Sequence, residues 1–359
     1  MLRKVVDRPQ RFVSVFDTES GFYMRSGVLD SNGVDTGVDP FMATFPQLID
    51  IGIMGHCVHG EKGLCLQSGV QCYQSGSVKN ESNMPVEDFK LIIDQCKNKT
   101  FQVALGGRGD PDQHENFADI IAYCAEKNVV PNFTTSGFGL TREKAALCKE
   151  YCGAVAVSWY RHKHTFDAIE NLLAAGVKTN IHYVLGRNSI EEAISLLVND
   201  GFPQGINAVI FLLHKPVGLG KEDNVLTVDN GNSEAFFRLI DDTPYRFKIG
   251  FDSCTVPALV EYKLSIDHCF VDTCEGARFS CYITPDMKML PCSFDQDNHW
   301  AFDLSKGSIT EGWQSKQFEA FRDYLRNSCP ECPERVKCMG GCPIEGGIVL
   351  CTSEHRQYG

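Results

Sequence analysis

The chain has 359 residues, 43 % hydrophobic and 22 % charged, enough apolar material for a large core and too much for wholesale disorder. Its net charge of −12, with no block of Lys and Arg, excludes the concentrated basic surface that nucleic-acid binding requires, and favours neutral or basic partners. The 17 cysteines are too sparse for a disulfide-stapled miniature and far more than an average chain carries.

No apolar run approaches the length of a membrane span, and Asp7 and Arg8 interrupt the N-terminus before a signal-peptide core forms. The expected location is the cytoplasm, where thiols stay reduced and serve metals rather than disulfides. Their distribution is uneven. Cys57, Cys65 and Cys72 share one segment, four single cysteines lie mid-chain, and ten fall between 254 and 351.

In chain order, a short β-rich lead-in (residues 1–46, with apolar runs at 12–16 and 22–24) precedes a regular alternation. Strands are expected at 48–53, 101–105, 129–134, 154–160, 178–185 and 208–213. Each is followed by a helix, near 86–97, 114–127, 141–151, 166–175, from the capping box Ser189-Ile190-Glu191-Glu192, and near 233–240. Six βα units in a row predict an α/β fold with a parallel sheet and outer helices over 47–264. From 265 to 359 the chain turns Cys-rich and turn-rich, which predicts a second, smaller domain.

In parallel sheets that close or half-close into barrels, chemistry gathers at the carboxyl ends of the strands. Three loops are therefore expected on one rim: the Cys57, Cys65, Cys72 segment, then Gly106-Gly107-Arg108-Gly109-Asp110-Pro111, then Thr134-Thr135-Ser136-Gly137. Three thiolates cannot complete a four-iron cluster, so one iron stays open to an outside ligand. His56 and His59 are further donors nearby, and three structural or zinc-binding cysteines are the plainer alternative.

This loop, with Cys72 followed by Tyr73, Gln74 and Ser75, resembles that of the radical S-adenosylmethionine (SAM) enzymes. The family usually places three and then two residues between its cluster cysteines, against seven and then six here; each lengthening costs on the order of 0.5–1 kcal/mol in loop closure. The resemblance implies a partial, TIM-like (β/α)6 barrel. It also implies SAM chelated to the open iron and split by an electron from the cluster into a 5′-deoxyadenosyl radical that abstracts a substrate hydrogen. Tyr73, Gly106, Gly107, Arg108, Asp110, Thr134, Ser136 and Ser158 are the SAM contacts it implies, Asp110 standing where the family usually has Glu. His182, on the fifth strand, either faces the pocket or is a satisfied interior histidine, the commoner role. Nothing ranks Arg108, Asp110, Tyr160, Arg161 and His214 as acceptor of a substrate proton.

The tail carries a second array: Cys329-Pro-Glu-Cys332, then Cys338, Cys342 and Cys351, with Cys274 and Cys292 upstream. It resembles the SPASM domain of radical SAM peptide-modifying enzymes, although Met287 stands where the family pattern has Gly. The resemblance implies two auxiliary four-iron clusters, held by Cys269, Cys274, Cys292 and Cys342, and by Cys329, Cys332, Cys338 and Cys351. Cys281 competes with Cys269, while Cys96, Cys124, Cys148, Cys152 and Cys254 are left over. Paired zinc sites are the alternative for this tail.

Three [4Fe-4S] clusters and SAM are thus the implied cofactors. A ribosomally made precursor peptide is the implied substrate, crosslinked through a thioether or carbon–carbon bond, and a flavodoxin or ferredoxin the implied electron donor. The lead-in is shorter than the leader-recognition module of some relatives, so a separate leader-peptide-binding protein or docking on the barrel edge is expected. Alternatives are a maturase that oxidises side chains of a folded protein, a small-molecule radical SAM enzyme, and a non-catalytic iron–sulfur or zinc protein.

Overall fold

The computed structural model describes residues 1–267 and 270–352. The lead-in forms a three-stranded antiparallel sheet, β1 (Leu2–Asp7), β2 (Phe12–Asp17) and β3 (Tyr23–Arg25). The remaining strands make one sheet: β4 (Leu48–Met54), β5 (Gln102–Gly107), β6 (Val130–Thr135), β7 (Val155–Ser158), β8 (Thr179–Leu185), β9 (Ala208–Leu213), β10 (Lys248–Phe251), β11 (Ser280–Ile283), β12 (Lys288–Leu290) and β13 (Phe302–Asp303). Its order is β10-β9-β8-β7-β6-β5-β4-β11-β12-β13, with every pair from β10 to β11 parallel.

Short helices α1 (Val58–Glu61) and α2 (Leu64–Gln67) follow β4; then come α3 (Val86–Cys96), α4 (Phe117–Glu126), α5 (Arg142–Tyr151), α6 (Lys163–Ala174), α7 (Ile190–Val198) and α8 (Gly231–Asp242). The C-terminal part adds α9 (Val256–Glu261), α10 (Ile309–Trp313), α11 (Lys316–Asn327) and α12 (Arg335–Cys338). The outer helices form because their apolar residues recur on one face: α3 buries Phe89, Ile92, Ile93 and Cys96, and α6 buries Thr165, Ala168, Ile169 and Leu172.

Alternation along the strands defines two faces. Ile49, Ile51, Val103, Leu105, Phe133, Val157, Ile181 and Val209 are buried under the helices. Their neighbours Asp50, Ala104, Asn132, Thr134, Ser158 and His182 are only half-buried, so they line a hollow interior. Strand pairing stacks these interior residues in layers, Asp50 level with Ala104 and Asn132, and Ser158 level with His182.

Three features differ from expectation. A seventh parallel strand, β10, extends the six βα units, and the sheet continues through β11 to β13, so the Cys-rich tail adds strands to the barrel sheet itself. β1 pairs with the expected lead-in strands. The capping box at Ser189 does not form: its hydroxyl donates to the Val184 carbonyl at 2.8 Å and accepts from the Gly186 N–H at 2.9 Å, closing the β8–α7 turn. Tertiary anchoring also joins the parts, as the buried Trp313 indole donates to the Ala43 carbonyl at 2.8 Å.

Candidate active site

The loop after β4 absorbs its extra length as two single-turn helices. Cys57 caps α1, its Sγ accepting the Gly60 N–H at 3.1 Å; Gly63, at φ +66°, reverses the chain; and Cys65 lies in α2. Cys72 Sγ accepts the Gly76 N–H at 3.5 Å. Gly76 is obligatory, because a Cβ there would stand 2.9 Å from both the Cys57 Cβ and the Arg108 carbonyl.

The β7–α6 turn pins this loop from above. The Ser68 hydroxyl donates to the Tyr160 carbonyl at 2.6 Å, His162 Nε2 donates to the Leu64 carbonyl at 2.9 Å, and Arg161 binds the Ser68 carbonyl as well as Glu192. His59 is buried in an aromatic pile with Tyr160 (4.6 Å between ring centroids), His164 (5.3 Å) and Phe138 (6.5 Å). These contacts give it a packing role.

Cys57, Cys65, Cys72 and Asp110 lie within electrostatic reach of one another, and burial pushes the Cys57 thiol up to about 12. A thiol so desolvated is a poor nucleophile and a proper ligand, since iron supplies the positive charge that the surroundings withhold.

The second loop supports the first. Arg108 donates to the Gln74 and Gly55 carbonyls, both at 3.0 Å, and pairs with Glu81 at 3.0 Å. Gly107, at φ +107°, would put a Cβ 2.5 Å from the Met54 carbonyl, whereas at Gly106 nothing lies within 4 Å of that position. The backbone at Gly106 is thus a bare cradle facing the hollow. The Asp110 carboxylate accepts both the Ser136 N–H (2.6 Å) and the Ser136 hydroxyl (2.5 Å), while burial and the neighbouring Asp112 raise its pKa. Thr134 Oγ1 is 3.1 Å from His182 Nδ1, and burial lowers the His182 pKa to about 4. His182 therefore faces the hollow in its neutral form, with Thr134 as its partner. Tyr73 stacks against Phe294 at 4.6 Å, two residues beyond Cys292, so the first loop touches the tail.

In the tail, Cys338 lies within electrostatic reach of Cys332, Cys351 and Cys329, and burial raises it to about 11. The other expected set is only partly as read from sequence. Cys269 lies outside the described residues. Its competitor Cys281 is buried on β11 with Cys96, Asp50 and Arg322 around it. Cys254, left over in the sequence reading, lies within electrostatic reach of Cys342, Cys274 and Cys292. It follows the carboxyl end of β10, and that position on the rim is the signal that was passed over.

Among the described residues no three His, Cys, Asp or Glu side chains close to the spacing of a single bound ion. A four-iron cluster gives each thiolate its own iron and does not ask for that spacing. The donor sets, all reduced thiols, and the bare Gly106 cradle fit such clusters and a ligand beside one of them.

Residues 274–333 match the family SPASM, an iron-sulfur cluster-binding domain. The chain superposes on Streptococcus suis SuiB bound to S-adenosylmethionine with a TM-score of 0.67, covering 88 % of this chain and 78 % of that one at 16 % identity. It superposes on native anSMEcpe with bound AdoMet with a TM-score of 0.61, covering 87 % and 94 % at 15 % identity. In fold, this chain is a partial barrel like those of SuiB and anSMEcpe, with a C-terminal stretch that matches the SPASM iron-sulfur cluster-binding domain. By sequence it is similar to mycofactocin maturase MftC of Mycolicibacterium smegmatis, 24 % identical over 339 residues and 80 % of each chain. It is also similar to the PqqA peptide cyclase of Methylocella silvestris, 23 % identical over 282 residues, covering 71 % of this chain and 72 % of that one.

Proposed function

We propose that this protein is a radical SAM peptide maturase, with a lead-in at 1–46, the barrel at 47–264 and a SPASM-type unit at 265–359. The observation that carries the reading is the meeting of Cys57, Cys65 and Cys72 beside the bare backbone of Gly106 at the mouth of a hollow barrel. Named relatives that mature or cyclise peptides support the substrate class, as does a SuiB structure bound to precursor peptide SuiA, on which this chain superposes with a TM-score of 0.65.

When bound, a four-iron cluster with one open iron chelates SAM and supplies the electron that splits it into the hydrogen-abstracting 5′-deoxyadenosyl radical. The chain's own residues do the rest. Cys57, Cys65 and Cys72 hold three irons, and the N–H groups of Gly60 and Gly76 stabilise the sulfur charge on the first and third. Arg108 fixes the loop by its carbonyls, so its part is positional. The open backbone of Gly106 would admit the methionyl end of SAM, Ser136 held by Asp110 would support the site, and Ser158 and Thr134 would offer hydroxyls to the ribose. The half-buried polar layers of the hollow receive the substrate side chain while the outer helices exclude water. The tail thiols would hold two auxiliary clusters, which would supply electron-transfer capacity near the substrate, with a flavodoxin or ferredoxin as outside donor. The product is a thioether or carbon–carbon crosslink made in the cytoplasm.

Coexpression without air of this protein and a short peptide encoded beside it, followed by mass spectrometry, tests the reading. A loss of about 2 Da, two hydrogens removed per crosslink, is expected; an unmodified peptide alongside active SAM cleavage would reject the peptide reading.

A further inference from the structure

The Cys254 thiol has no role in the motif that marks the tail, yet the fold fixes the turn that carries it. It sits in a single turn, Ser253–Thr255, directly after β10. Asp252 fixes that turn, its carboxylate accepting the Thr255 hydroxyl at 2.7 Å and the Leu213 N–H at 3.2 Å. On the other side, the turn before Cys342 packs on the start of α9: a Cβ on Gly341 would lie 3.3 Å from Pro257 Cγ. The turns that carry the two cysteines thereby lie side by side. Cys342 Sγ also accepts the Glu345 N–H at 3.3 Å, a bond that suits a sulfur carrying charge.

Cys254 lies within electrostatic reach of Cys274, Cys292 and Cys342. Four thiols on four different segments thus converge, Cys342 buried and the other three half-buried. Left as thiols they would be a cluster of weakly satisfied polar groups; the arrangement has a chemical reason if they share a cofactor. Beside them, the buried Lys215 ammonium binds Asp252 at 2.6 Å and lies over the Phe294 ring at 4.4 Å, placing positive charge where a thiolate-bound cluster carries negative.

We propose that Cys254 is a ligand of the first auxiliary cluster, completing a set with Cys274, Cys292 and Cys342. On ligation its S–H proton passes to solvent and an Fe–S bond forms, with no change of oxidation state. The proposal rests on reading the tail as cluster-binding, and it ties the cluster to the end of β10, so that the barrel and the tail hold it jointly.

The test is anaerobic reconstitution of the full chain, with iron and sulfide counts and EPR of the reduced protein with and without SAM. The part of the signal that responds to SAM belongs to the barrel cluster and is set aside. Cys254→Ala is expected to lower iron and sulfide by up to about four each per chain. Cys254→Ser, which keeps the volume and guards against misfolding, is expected to shift the signal that does not respond to SAM. Circular dichroism checks that both variants fold. An unshifted signal in folded Cys254→Ser, with a shift in Cys269→Ser or Cys281→Ser, would overturn the ligand assignment alone. A wild-type chain that takes up the iron of one cluster only would overturn the reading of the tail together with it.

Discussion

The Arg108 guanidinium donates to the Gln74 carbonyl at 3.0 Å, so the loop after β5 holds down the loop that carries the cluster cysteines. A residue with this sequence position invites reading as a SAM contact, yet its Nε and Nη1 donors are engaged with backbone and with Glu81. Arg108→Ala leaves the buried Gln74 carbonyl without its donor, at about 1–3 kcal/mol, while the Gly55 carbonyl keeps the Glu81 N–H at 3.0 Å. The expected result is a lower denaturation midpoint and faster loss of iron from the reconstituted protein, with Arg108→Lys recovering only part because one ammonium cannot span both carbonyls.

Gly106 and Gly107 separate binding from folding. Gly107→Ala meets positive φ and the Met54 carbonyl together, and is expected to destabilise the chain by roughly 2–4 kcal/mol in denaturant titration. Gly106→Ala has room, so stability should change by less than about 1 kcal/mol. Because the new methyl fills the cradle, SAM binding measured by calorimetry should weaken about tenfold or more, roughly 1.4 kcal/mol.

Lys215 and Asp252 form a buried ion pair in which the lysine is 2 % exposed. Burial opposes the lysine's charge, but Asp252 outweighs it and holds the ammonium well above its ordinary range. Lys215→Met strands the carboxylate, at a cost of roughly 2–4 kcal/mol given that Asp252 keeps some solvent. The double variant Lys215→Met, Asp252→Asn should regain most of that loss in the same unfolding assay.

His182 sets a pH dependence. Its folded pKa of about 4 lies below the unfolded value of 6.5, so the unfolded chain binds the proton first as pH falls. Stability from this residue is complete above pH 6.5 and declines toward pH 4, with a slope of up to about 1.4 kcal/mol per pH unit. His182→Gln should reduce the slope between pH 4.5 and 6.5 relative to wild type, in urea titrations at fixed salt, by about that amount.

The alternation of apolar strands and amphipathic helices made the six βα units legible, because each unit must bury one face against the next. β10 was not, since Lys248-Ile249-Gly250-Phe251 is four residues long with no buried member, and its place depends on pairing with β9. Ser189 shows how tertiary bonding overrides a local signature: a hydroxyl that bridges Val184 and Gly186 has no lone pair aimed at the helix. Motif spacing assigned the thiols around Cys338, which are close in sequence. It says nothing of Cys254, whose nearness to Cys342 arises only through the fold.

The most direct measurement is the 5′-deoxyadenosine released when the anaerobically reconstituted protein is given SAM and dithionite. Wild type should release it and Cys72→Ala should not, while Cys332→Ala should still cleave SAM yet form no product. Wild-type protein with its clusters intact that releases no 5′-deoxyadenosine would contradict the account.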